Sequence, residues 1–377
     1  MNQEEYFGFD SIKNLKNILK EENPNRIFLV TGKKSFKKCG AKDSILEYLQ
    51  NYNFIHFDNF SSIPLLEDVK RGILTFKKEK CDLVIAIGGG SVIDFAKLIN
   101  ILASQEKNII DYITNITDIK KSGKPLVAIP TTSGSGSEAT HFAVIYVEQK
   151  KFSVTSPYIL PKYSIIDPEF TKSLPSRITA ISGIDALSQA IESYWSKNST
   201  AVSRSLSKKS IKLILQNLLI NVKNNTKETR LSMARASNLA GEAINLTKTT
   251  GPHAISYPLT YFFGIPHGHA VGLTLGEFFM FNGNMDKFNS SNTNKLDDYP
   301  QNFSELLEIF EVSNVTFAKQ KITKIMLDLD LETKFSMFDI TLNDIPLILN
   351  NVNLERLYNN PRKISKKELQ AILISLI

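Results

Sequence analysis

Cysteine is scarce in this chain of 377 residues. Only Cys39 and Cys81 occur, too few for a disulfide framework and without the close spacing of a zinc or redox motif, so both are read as packing thiols. Long apolar runs are missing as well: none approaches the ~18 residues that a membrane-crossing helix needs. The first residues, Met1-Asn2-Gln3-Glu4-Glu5, are acidic where a secretion signal is basic and then apolar. A cytoplasmic protein without a membrane partner is expected. Nor does charge of one sign dominate. The 45 Lys and Arg stand against 38 Asp and Glu, and the net +7 is dispersed in pairs such as Lys33-Lys34, Lys77-Lys78 and Lys208-Lys209. No aromatic-interleaved basic stripe exists, which argues against a nucleic-acid partner and leaves small anionic ligands as the better match.

What is present is globular. A hydrophobic fraction of 42% and a charged fraction of 22% exclude disordered, collagenous and coiled-coil classes. The length is near the limit that one core can serve, so two domains are expected. The first half alternates short apolar runs at 26–31, 82–87 and 125–129 with amphipathic stretches at 41–49 and 93–103. Runs of that length read as strands buried on both faces of a parallel sheet, with helices between them. After Leu174-Pro175 the apolar spacing becomes helical, with Ser176 as a candidate cap. The reading is therefore an α/β domain over 1–175 and an all-helical domain over 176–377. An Asn- and Ser-rich stretch at 282–302 is expected to be a long connection between helices. No internal repeat is evident.

Two loops carry the first chemical signal. Gly88-Gly89-Gly90-Ser91 follows one strand and opens a helix, where bare backbone N–H groups and the positive helix end can hold a phosphate. Pro130-Thr131-Thr132-Ser133-Gly134-Ser135 follows the next strand, placing hydroxyls at the same carboxyl edge of the sheet. Either loop alone is also compatible with a bare turn or linker; together they read as a dinucleotide site. A second signal lies in the helical half. Asp185 and Gln189 are four apart and share a helix face that Glu192 continues, while His253 and His267 are separated by 14 residues. One carboxylate, one amide oxygen and two imidazoles make a mixed donor set for a divalent transition metal.

The combination of Gly88-Gly89-Gly90-Ser91, Pro130-Thr131-Thr132-Ser133-Gly134, Asp185-Ala186-Leu187, and His253 with Pro266-His267-Gly268 resembles the iron-dependent (group III) alcohol dehydrogenase family. The match in order and spacing runs over about residues 5 to 280. More narrowly, Ala139-Thr140-His141-Phe142, Asp185 to Ser196, and Lys248-Thr249-Thr250-Gly251-Pro252-His253 look like the branch that reduces phosphonoacetaldehyde to 2-hydroxyethylphosphonate. The resemblance implies an N-terminal Rossmann-like α/β dinucleotide domain, a C-terminal all-α domain of the dehydroquinate synthase-like type, and a metal held by one Asp and three His. Carried over, the ligands are Asp185, His253 and His267, with Gln189 at the remaining histidine position. The resemblance implies iron(II) first and zinc second, while the amide oxygen, a weaker and harder donor than imidazole, is expected to lower metal affinity and to shift the preference among divalent ions.

The cofactor set implied is Gly32, Gly89, Gly90, Ser91, Asp94, Thr131, Thr132, Ser135 and Lys151. Where the family usually ends its first long strand with Thr-Asp, this chain has Thr31-Gly32-Lys33-Lys34. Loss of the carboxylate and gain of two ammonium groups favour a phosphorylated ribose, hence NADPH ahead of NADH. The metal is expected to polarise the aldehyde carbonyl while the nicotinamide delivers hydride, with His269, Tyr257 or a relayed water as proton donor and His141 a weaker candidate. Lys248 is the expected clamp on an anionic substrate group, Arg204 a second candidate, and a homodimer the expected assembly. The rivals are a general short-chain aldehyde or alcohol dehydrogenase of the same family, a dehydroquinate synthase-like metal-dependent lyase, and a non-catalytic nucleotide-binding protein.

Overall fold

Along the first part of the chain run β1 (Glu4–Phe7), α1 (Leu15–Glu22), β2 (Ile27–Thr31), α2 (Ser35–Lys38), α3 (Ala41–Leu49), β3 (Phe54–Phe57), α4 (Leu66–Lys78), β4 (Leu83–Gly88), α5 (Gly90–Ala103), α6 (Ile109–Ile113), β5 (Leu126–Pro130), β6 (Phe142–Val147), β7 (Lys150–Thr155) and β8 (Tyr163–Ile166). The computed structural model describes residues 3–284 and 298–377. They divide into two units, Met1–Leu174 with Thr226–Ala234, and Pro175–Asn225 with Arg235–Ile377.

In the first unit six strands form one parallel sheet in the order β1-β8-β5-β4-β2-β3, and β6 and β7 pair as a separate antiparallel hairpin. Side chains of β2 alternate between the sheet faces, as period-2 geometry demands. Phe28 and Val30 join the cluster built with α4, α5 and the hairpin, whereas Ile27 and Leu29 join the cluster built with α1 and α3. Both faces are thus covered, which is why the central strands read as unbroken apolar runs. Cys39 and Cys81 are buried free thiols, one in each cluster.

The second unit contains α7 (Ser176–Trp195), α8 (Ala201–Asn224), most of α9 (Lys227–Thr247), α10 (Gly251–Phe263), α11 (His267–Gly283), α12 (Tyr299–Ile309), α13 (Val315–Asp328), α14 (Ile345–Asn350), α15 (Leu354–Tyr358) and α16 (Lys366–Ile374). Buried from Gly183 to Trp195, α7 packs against α8 and α11, and α11 packs against α10 and α13. Ser176 is the first residue of α7, after Pro175, and makes no capping hydrogen bond. The ends of the stretch 282–302 are helical, and 285–297 lie outside the described residues. A division at residue 175 also misses one detail: the first turns of α9 group with the first unit, where Lys227 lies 5.6 Å from the Phe9 ring. No described helix is long and apolar enough to cross a membrane.

Candidate active site

Three neighbouring strands of the first unit end side by side. Thr31 pairs with Ile87 and Gly88 with Pro130, so Gly32, the Gly89-Gly90-Ser91 turn and Thr131-Thr132 occupy one carboxyl edge of the sheet, where open α/β sheets bind ligands. The loops touch. Thr131 N–H donates to the Gly88 carbonyl at 3.0 Å, and a Cβ at Gly90 would stand 2.7 Å from Ser135 Cβ. Glycine is therefore required at 90 by close approach of the second loop. Gly89 precedes α5 in extended conformation without a side-chain cap, which leaves the first N–H groups of a 14-residue helix for an anion. Lys33 and Lys34 are exposed immediately beyond β2, and Lys151 stands on β7 with its Nζ 5.7 Å from the Tyr146 ring.

Asp94 is bound by the second loop and the hairpin. Its Oδ1 accepts from Ser137 Oγ at 2.5 Å and its Oδ2 from Val144 N–H at 3.0 Å. The carboxylate is buried and turned toward the loop and hairpin, so it fixes the second loop. One turn later Lys97, only 1% exposed, donates to the carbonyls of Ser137 (2.5 Å), Thr140 (2.8 Å) and Phe142 (3.1 Å) and to Thr140 Oγ1 (3.0 Å). Burial pushes this ammonium down to about 8 against the opposing fields of Asp94 and Glu138. Sequence reasoning passed over Lys97; a lysine within the apolar run of α5 was the available signal.

In the second unit the ligand atoms of Asp185, His253 and His267 lie within 4.8 Å of one another. Gln189 is one turn beyond Asp185 on α7, and its Oε1 is buried with no hydrogen-bond partner. Asp185 Oδ1 is likewise buried without a hydrogen bond, 3.4 Å from His253 Nε2. Buried orphan oxygens are rare in folded proteins, and two of them beside two imidazoles fit a divalent cation such as iron(II) or zinc. Gly268 permits the arrangement: a Cβ there would run into the Ile181 carbonyl and stand 2.8 Å from Asp185 Cβ, so only glycine lets the start of α11 come this close to α7.

Both rings are held in the tautomer a metal needs. His253 Nδ1 bonds the Glu192 carboxylate, whose Oε1 also accepts from Thr250 N–H at 2.8 Å, Thr250 Oγ1 at 3.0 Å and His253 N–H at 3.3 Å. That leaves Nε2 toward Asp185. In the metal-free protein burial opposes charge on this ring, but Glu192 and Asp185 outweigh it and push His253 up to about 9. Ser256 Oγ spends its proton on the His253 carbonyl at 2.8 Å, so at the 3.3 Å contact His267 Nδ1 must donate to it, leaving Nε2 with the lone pair. Glu192 was legible only as a residue two turns beyond Asp185; its contact with His253 was not.

Two of the expected catalytic residues are engaged by other groups of the protein. His269 is fully buried, its Nε2 bonded to the Glu332 carbonyl at 2.7 Å and its Nδ1 3.7 Å from Glu332 Oε2, with burial holding its pKa down. A ring held in this way ties α11 to the 332 loop. Lys248 sits at the end of α9 with its ammonium paired to Glu355, so its charge is already committed. Arg204 bonds Ser199 Oγ at 3.2 Å. His141 lies in the first unit, its ring 6.1 Å from Phe142. Tyr257 keeps its candidacy: it follows His253 by one turn of α10, its ring is 6.3 Å from that of His267, and its phenol is hydrogen-bonded by the Arg356 side chain.

A family model described as iron-containing alcohol dehydrogenase matches residues 2–168, and one for the C-terminal part of the Fe-containing alcohol dehydrogenase family matches residues 179–377. Long-chain-alcohol dehydrogenase 1 of Geobacillus thermodenitrificans is 36% identical over 275 residues, 72% of this chain and 69% of that protein. The 1,3-propanediol dehydrogenase of Klebsiella pneumoniae is 30% identical over 89% of this chain and 87% of its own. Among solved structures, sulfoacetaldehyde reductase from Bifidobacterium kashiwanohense in complex with NAD+ superposes with a TM-score of 0.86 at 30% identity, covering 99% of this chain and 96% of that one.

Proposed function

Because this chain belongs to the iron-containing alcohol dehydrogenase family and is an NAD(P)-dependent oxidoreductase of alcohols and aldehydes, we propose that it reduces a short aldehyde with an anionic head, phosphonoacetaldehyde, to 2-hydroxyethylphosphonate. The observation that carries the chemistry is the buried donor set of Asp185, Gln189, His253 and His267. When bound there, a divalent cation would supply Lewis-acid polarisation of a carbonyl. The chain's own groups do the rest. His253 and His267 are fixed by Glu192 and Ser256, so no reorganisation is needed during turnover. Tyr257 accepts a hydrogen bond from Arg356, and its phenol would donate a proton to the developing alkoxide. Burial raises its pKa against the lowering effect of Arg356, so the phenol keeps that proton at neutral pH.

The loops after β2, β4 and β5 would hold the coenzyme, with the α5 amides on the pyrophosphate and Lys33 and Lys34 on a ribose phosphate, favouring NADPH. The anionic substrate draws support from the whole-chain likeness to a reductase of sulfoacetaldehyde, a two-carbon aldehyde of similar charge. A cytoplasmic homodimer joined through the edge strand β1 completes the proposal. The test is NADPH and NADH oxidation by iron(II)- or zinc-loaded protein with phosphonoacetaldehyde, sulfoacetaldehyde and propanal. Equal kcat/KM for propanal would favour the general reductase, net turnover without coenzyme consumption the lyase, and a preference for NADH would remove the role given to the two lysines.

A further inference from the structure

Lys97 is a buried charge that the chemistry above leaves unused. It lies two turns into α5, 1% exposed, beside the buried apolar residues Ala96, Leu98 and Ile99. The acceptors around its ammonium are the carbonyls of Ser137, Thr140 and Phe142 and Thr140 Oγ1, all within 3.1 Å. Every one of them belongs to the loop after β5 or to the first residue of β6. The same loop leads back to the turn that opens α5. Ser137 N–H donates to Ser135 Oγ at 3.3 Å, and Gly136 between them turns the chain through a left-handed φ of 59°. Ser135 in turn lies over Gly90, where an added Cβ would stand 2.7 Å from its Cβ and Oγ. Asp94 grips the loop through Ser137 Oγ and the hairpin through Val144 N–H. The second loop is thus held to α5 twice, by close contact at Gly90 and by hydrogen bonds from Lys97.

An ammonium donates three hydrogen bonds and accepts none, whereas the neutral amine keeps two donors and turns a lone pair toward a carbonyl oxygen. Loss of the proton therefore releases part of the loop. Resting on the coenzyme site proposed above, we propose that Lys97 is a positioning residue for the coenzyme: its charged form holds residues 131–142 against Gly90, and its deprotonation loosens that loop and weakens dinucleotide binding. Burial brings its pKa down to about 8 against the opposing fields of Asp94, on its own helix, and Glu138, from the loop. Burial also raises the Asp94 carboxyl, opposed by Lys97, Ser137, Val144 and, from β7, Lys151. Both Asp94 oxygens accept hydrogen bonds, the pattern of an ionised carboxylate. Coenzyme affinity is accordingly full while Lys97 is charged and falls as pH rises through its pKa.

The experiment titrates zinc-loaded full chain with NADH, which lacks the titrating ribose phosphate of NADPH, and reads Kd by fluorescence from pH 6.5 to 9.5. Wild type, Lys97→Met and Asp94→Asn are compared, with amide hydrogen exchange of residues 131–144 followed at pH 7. Wild-type Kd should rise roughly 10-fold across a step near pH 8, as expected if about one molecule in ten keeps the loop in place after the proton is lost. Lys97→Met should show the weaker Kd at every pH, without a step, and with faster exchange confined to 131–144. In Asp94→Asn the ammonium loses its neighbouring negative charge, so the step should move to lower pH; a merely structural role would weaken binding without moving it. This variant carries the test if Lys97→Met does not fold. A step that persists in Lys97→Met, an unchanged Kd in that variant, or an unmoved step in Asp94→Asn overturns the inference. Gly90→Ala keeps the two readings apart. Unchanged NADH affinity there removes the coenzyme site and the role of Lys97 with it, whereas weaker binding there beside wild-type behaviour in Lys97→Met removes the role of Lys97 alone.

Discussion

Gln189→Leu should make the metal-free protein more stable and the metal-loaded protein less so. Gln189 Oε1 is buried without a hydrogen-bond partner. Leaving such an acceptor unsatisfied costs about 1–3 kcal/mol, and leucine of similar size deletes the acceptor while keeping the volume filled. In chelator-treated protein the variant is therefore expected to gain roughly 1 kcal/mol against urea. With metal the sign reverses. At a metal concentration of 100 times the wild-type Kd, binding adds about 2.7 kcal/mol to stability, and a tenfold weaker site would add only about 1.4 kcal/mol. Competition with a chromophoric chelator gives Kd directly, and urea titrations with and without metal give the two stabilities. Gln189→His is the companion, expected to tighten binding by restoring an imidazole. An unchanged Kd in Gln189→Leu, together with a loss of stability in the metal-free form, would refute the assignment of Gln189 as a ligand.

Glu192→Gln keeps the shape and the acceptor for Thr250 but removes the charge behind His253; metal affinity should drop about 10- to 100-fold in chelator competition. Gly90→Ala should weaken dinucleotide binding in a fluorescence titration, since the new methyl would press on Ser135 and overpacking costs roughly 1–3 kcal/mol. Asp82 gives a pH prediction. Burial opposes its charge, but N–H donors from Arg26 and Asn25 outweigh that and hold its pKa below the usual value. A depressed folded pKa means stability present above the unfolded value of about 3.9 and lost as pH falls through the folded one. Asp82→Asn should accordingly be less stable than wild type at pH 7, with the gap closing below pH 4; a gap independent of pH would contradict this.

The central strands were readable because both faces of β2, β4 and β5 are covered, which writes an unbroken apolar run into the sequence. β1, β3 and β8 span four residues each, too few for a period to register. Residue type, helical spacing and the family resemblance together singled out Asp185, His253 and His267, whose donor atoms lie within 4.8 Å of one another, with Gln189 one turn along α7. What failed was the direction of individual side chains. Asp94 and His269 stand beside the right motifs yet point into packed surroundings, a fact set by Ser137, Val144 and Glu332 across the fold. Arg356 could not be found from sequence because it meets Tyr257 across the packing of its five-residue helix on α10.

The grouping of Thr226–Ala234 with the first unit bears on how this chain can be cut or recombined. Severing it after Leu174 would yield a nucleotide-binding fragment stripped of its share of α9, including the Lys227 that caps the Phe9 ring. Chimeras that exchange catalytic halves between relatives should therefore transplant the opening turns of α9 along with the donor's sheet. A simple splice at Pro175 would join two incomplete pieces.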